Sequence, residues 1–110
     1  MLHTKDDLTK PIHGVFRSTN YEVLNISDKA YKLILAKDRQ KIFLVKGAQT
    51  PARATYMVDI GEQVGFIGGI QGSSLGNPAT NWIRIVIENS NNNITIFPDS
   101  PNITPVIPIP

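Results

Sequence analysis

The chain contains no cysteine. Disulfides, thiolate nucleophiles and Cys-ligated zinc or iron–sulfur centres are therefore excluded. Histidine is nearly as scarce: His3 and His13 are the only two. Neither is joined by a carboxylate or a second imidazole in a metal-ligand pattern. The nine acids form no paired-carboxylate motif. Combining His13 with remote serines and aspartates makes a triad only in the sense that any chain of this length does. Long apolar runs are missing too. No stretch approaches the ~18 residues of a membrane span, and Met1–Lys10 lacks the apolar core of a secretory signal. Charge is sparse, at 18% of residues against about 25% in ordinary soluble domains. These absences predict a non-enzymatic chain with no cofactor and no bound metal.

The glycine-rich run Gly65–Gly72 shares only its composition with a phosphate loop. It is not GxGxxG, and no GK[ST] follows it. It reads as a turned β-connection inside a largely looped stretch, residues 61–78. Its glycines would let another backbone approach closely. Three Asn-X-Ser/Thr triplets, at Asn25, Asn93 and Asn102, are short chance patterns and read as unmodified.

What the chain does have is size for one domain. At 110 residues it buries roughly 65% of its unfolded surface. Its dominant pattern is short alternating runs separated by turn residues. His13–Ser18 alternates first. Tyr21–Ile26 follows, then a turn at Ser27-Asp28-Lys29. Tyr31–Ala36 and Lys41–Lys46 read as a hairpin joined by Lys37-Asp38-Arg39-Gln40. A helix over Asp28–Lys37, capped by Ser27 and with Ala30, Leu33 and Ile34 on one side, is the alternative. The strand is preferred because it matches its neighbours. Thr55–Ile60 and Gln63–Ile67 come next. Asn81–Glu88 is the clearest strand, with Ile83, Ile85 and Ile87 on one face and Trp82, Arg84, Val86 and Glu88 on the other. Ile94–Phe97 returns beside it. The predicted core is Ile83, Ile85, Ile87, Ile94, Ile96 and Leu33 or Ile34. This spacing of strands predicts an all-β fold, a small β-sandwich of jelly-roll or Ig-like type. It would span residues 13–98, with an N-terminal arm over 1–12 and a C-terminal arm over 99–110.

The last thirteen residues hold five of the eight prolines, alternating with Ile103, Val106, Ile107 and Ile109. Proline forbids a helix there and an interior strand. The segment is also too apolar for a solvated tail, so it must lie on a surface, its own or a neighbour's. Ile103, Val106, Ile107 and Ile109 are the predicted subunit-interface residues. Charge is also uneven: residues 1–53 carry ten of the eleven basic residues and five acids, whereas residues 54–110 carry Arg84 against four acids. Lys37, Arg39 and Lys41 are the candidate contacts to single-stranded nucleic acid, with Tyr31 and Phe43 as stacking partners.

The leading expectation is a structural subunit whose arms pack on copies of itself or on other subunits. In outline it resembles small β-structured virion components, such as capsid decoration proteins, head-fibre bases and connectors, or subunits of polymeric appendages. That resemblance implies cytoplasmic synthesis without a signal peptide, followed by residence in a virion or other extracellular assembly. The runner-up is a nucleic-acid-binding small β-barrel using the basic segment 29–53.

Overall fold

The computed structural model describes residues 8–10, 12–16, 20–89 and 93–110. Its elements run β1 (His13–Phe16), α1 (Asn20–Ala36), β2 (Ile42–Val45), β3 (Arg53–Asp59), β4 (Gly65–Gly68), α2 (Gly69–Ser74), β5 (Ala79–Thr80), β6 (Trp82–Glu88), β7 (Asn93–Asp99) and β8 (Val106–Pro108). The strands form two antiparallel sheets, ordered β1-β4-β5 and β7-β6-β3-β2-β8. The fold is a small β-sandwich, mostly strand, with one long helix added. Among the described residues, no helix is long and apolar enough to cross a membrane.

The larger sheet has two unlike faces, set by the register of its strands. Ile42, Val58, Ile83, Ile85 and Ile96 line the inner face and join one cluster with Phe16, Val64 and the α1 residues Val23, Ile26 and Ala30. Thus α1 and the small sheet share the task of covering that face. The predicted core holds for Ile83, Ile85 and Ile96. Ile87, Leu33 and Ile34 are half-buried against the cluster. Ile94, however, is 49% exposed, because it lies near the end of an edge strand beyond the cover.

The sandwich closes through glycine. A Cβ added to Gly14 would overlap the Pro98 carbonyl, and one added to Gly65 would meet the Val15 carbonyl and the Pro98 ring. Two backbones meet there with no side chain between them, which only glycine permits. The expectation that residues 61–78 are mainly loop is therefore corrected. They contain β4 and α2, and the run supplies a packing seam.

The largest correction concerns residues 20–36. Tyr21–Ile26 and Tyr31–Ala36 are not strands and Ser27–Lys29 is not a turn; one helix spans them all, so the basic hairpin loses its first strand, whereas Lys41–Lys46 does contain a strand, β2. Its buried positions Val23, Ile26 and Ala30, with Leu33 and Ile34 beside them, follow helical spacing. The Ser27 hydroxyl does not cap a helix. It donates to the Val23 carbonyl at 2.9 Å, one turn back. The helix ends at Lys37 (φ 51°), with Lys37 N donating to the Ile34 carbonyl and Asp38 N to that of Leu33.

The C-terminal segment is a strand of the chain's own sheet. Val106, Ile107 and Pro108 pair with Val45, Leu44 and Phe43. The prolines are accommodated because β8 is an edge. At the other side of β2 the ladder is completed by a side chain. Gln49 Nε2 donates to the Val45 and Thr55 carbonyls at 3.1 and 2.7 Å, and Gln49 Oε1 accepts from Thr55 N at 3.0 Å.

Candidate functional site

The outer face of the larger sheet carries Phe43, Met57, Arg84 and Phe97 in one cross-strand row. Trp82 packs against Phe43, with ring centroids 5.7 Å apart. Arg84 is the row's one cation. It lies opposite Phe97 and diagonal to Asp99, which pairs with Trp82. A long side chain spans that diagonal readily.

Asp99 is the anchor, with only 4% of its side chain exposed. Arg84 Nε and Nη2 each donate to Asp99 Oδ2 at 2.9 Å. Thr104 Oγ1 lies 2.9 and 3.0 Å from the two carboxylate oxygens, toward which it donates, and accepts from Arg84 Nη2 at 3.1 Å. Ser100 N donates to Asp99 Oδ1 at 2.7 Å. The main chain is fixed as well: Thr80 Oγ1 donates to the Asp99 carbonyl at 2.6 Å and accepts from Trp82 N. A buried carboxylate is tolerated only when so fully paired. Thr104 reaches the network because residues 100–104 form a tight turn, in which Thr104 N donates to the Ser100 carbonyl.

The guanidinium sits 5.2 Å from the Phe97 ring centre, within cation–π range. Beside it opens a half-enclosed pocket of about 280 Å³ lined by Lys10, Ile12, Gly14, Arg84, Phe97, Pro98, Asp99 and Thr104. The arrangement places an oriented guanidinium, an exposed lysine and an aromatic ring at one opening. The Nε–Nη2 edge of the guanidinium is taken by Asp99 and Thr104, so the Lys10 ammonium and the outward side of the guanidinium are what suit a phosphate oxygen, and the ring suits an apolar or planar neighbour. Among the described residues, no cluster of three His, Asp or Glu side chains could hold a metal ion.

The residues singled out from sequence lie elsewhere. Lys37, Arg39 and Lys41 fall in the turn from α1 to β2. Arg39 Nη2 donates to the Pro110 carbonyl at 2.9 Å. The Lys41 carbonyl accepts from Asp59 N. Lys37 lines a second, mostly apolar cavity of about 290 Å³ with Ile34, Ile42, Leu44, Tyr56, Ile109 and Pro110. None of the three reaches the Arg84 pocket. Tyr31 is on α1 and Phe43 on β2, not on paired strands. Of the predicted interface residues, Ile109 is 9% exposed within the chain's own core, Ile103 and Val106 are half-buried, and Ile107 remains 41% exposed. His3 lies outside the described residues, and His13 opens β1 opposite Gly68. The Arg84–Asp99–Thr104 network was missed, although Arg84's isolation in the acidic half of the chain was its signal.

Compared with protein-family models, with curated proteins and with solved structures, the chain matches none.

Proposed function

We propose that this chain is a recognition module that takes a phosphate-bearing strand, single-stranded nucleic acid, in the pocket over β6 and β7. The observation that carries this reading is the Arg84 guanidinium, held in place by Asp99 and Thr104 with Phe97 against it and Lys10 at the same opening. Cations that track phosphate beside an aromatic that stacks on a base are the common device of single-strand binders. The proposal moves nucleic-acid recognition from the basic segment 29–53 to Arg84 and Phe97 on β6 and β7, with Lys10 beside them. A fixed side chain on a strand loses little entropy when a ligand arrives.

Fluorescence anisotropy with a labelled single-stranded oligonucleotide tests it. Wild type should bind at low salt, with affinity falling as salt rises. Phe97→Leu and Lys10→Gln should each weaken binding, the former by about tenfold through lost stacking. Both variants leave the Arg84–Asp99 pair intact. No binding at low salt removes the proposal, and undiminished binding by the double variant moves it off this pocket.

A second reading, assembly with copies of itself, is favoured by one observation. Leu24, Tyr31 and Leu35 are left exposed on α1. The C-terminal arm gives that reading little support, since β8 and Ile109 are engaged within their own chain.

A further inference from the structure

On α1, Leu24, Tyr31 and Leu35 are 62%, 44% and 66% exposed. At about 100° per residue they fall within ~40° of one another, forming a single stripe. The buried positions Val23, Ile26 and Ala30 centre ~120° away by the same count. The stripe is therefore no part of the core face, and among the described residues no side chain covers it. Asp28 and Lys32 flank it on one side, joined by an exposed ion pair of 2.9 Å.

The order of these residues is close to a palindrome: leucine, acid, tyrosine, base, leucine. We infer that the stripe is the contact surface for a second copy of this chain, docked with its α1 antiparallel across a two-fold axis near residues 29–30. This rests on the assembly reading and deepens it. Leu24 and Leu35 are eleven residues apart, about 16 Å along the axis. Reversal about their midpoint sets Leu24 of each copy against Leu35 of the other. It also brings Asp28 within a turn of the other copy's Lys32, twice. A parallel two-fold would instead carry the Asp28–Lys32 flank of the second copy to the opposite side of the stripe, where the two charge pairs do not complement each other. An interface that one patch makes with itself is the rule for two-fold dimers. Three exposed apolar side chains offer less than the ~800 Å² per partner of a standard interface, so the association should be weak and concentration-dependent.

Sedimentation velocity over a concentration series reaching millimolar tests this, with circular dichroism to confirm folding. Wild type should shift from monomer to dimer. Leu35→Glu should remain monomeric with an unchanged melting temperature, and Leu35→Ser serves the same purpose if the charged variant does not fold. Asp28→Lys alone and Lys32→Asp alone should each lose dimerisation, whereas their equimolar mixture should recover it, because each copy then complements the other. A wild type that stays monomeric throughout overturns both this inference and the assembly reading. Association that Leu35→Glu leaves untouched keeps the assembly reading and removes this surface. Failure of the mixture to recover overturns the antiparallel register.

Discussion

The two faces of the five-stranded sheet solve different problems with the same strands. The inner face is aliphatic, and α1 and the small sheet cover it until Ile42, Val58, Ile83 and Ile85 are fully buried. Among the described residues, no helix or second sheet covers the outer face, and its own side chains and loops bury Met57, Thr55 and Val45. It combines aromatic rings with a charge pair, and a five-residue turn carrying Thr104 folds over one corner of it. Apolar burial is non-directional, so the inner face fixes the fold but selects no ligand. The outer face is directional at each contact, and its pocket is the proposed recognition site.

Deletion after Pro98 breaks both faces at once and has the largest expected effect. It removes Ile109 from the inner face, Asp99 and Thr104 from the outer face, and β8 from the edge. Cooperative thermal unfolding should disappear in a calorimetric scan. A truncated chain that still melts sharply would mean that the segment is an appendage after all.

Arg84→Met isolates the outer face. It leaves the Asp99 carboxylate buried without its cation, at an expected cost of about 3–5 kcal/mol in urea unfolding. Arg84→Met with Asp99→Leu should recover much of that loss, since an apolar pair avoids the stranded charge. If the double variant is no better than the single, the pair is not coupled as described.

Ile85→Ala probes the inner face alone. The lost transfer energy and the cavity should cost about 2–4 kcal/mol, while nucleic-acid binding stays intact once folding is confirmed. An unchanged unfolding midpoint would contradict the placement of Ile85 in the core. A matching loss of binding would show that the two faces are not separable.

The inner face was legible because strand period and burial agree in it. Ile83, Ile85 and Ile87 alternate with Trp82, Arg84, Val86 and Glu88, and the first two are buried with Ile96, which pairs with Ile85. The helix was not legible, because Tyr21–Ile26 can also be read with period two, Glu22, Leu24 and Ile26 on one face, and Tyr21, Val23 and Ile26 are aromatic or β-branched residues favoured in strands. Ser27-Asp28-Lys29 also has turn composition. Tertiary packing on the inner face overrides those local preferences. The alternative that placed Ala30, Leu33 and Ile34 on one side of a helix identified the correct face with too short a span. Proline told the truth about the C-terminal segment in excluding helix and interior strand, but it is silent on whose edge the segment joins. The outer site depends on a diagonal between strands and on a turn five residues downstream. Neither leaves a periodic trace, so only Arg84's solitude marked it.

Gln49 carries one more consequence. Its side-chain amide stands where a neighbouring strand would supply backbone partners for Thr55. The Thr55 amide proton therefore exchanges with deuterium when one side chain changes rotamer, without any strand separating. Its exchange should report a torsion that turns over far faster than the sheet opens, and this end of the β2–β3 ladder should be sensitive to deamidation of Gln49 in a way that no backbone ladder is.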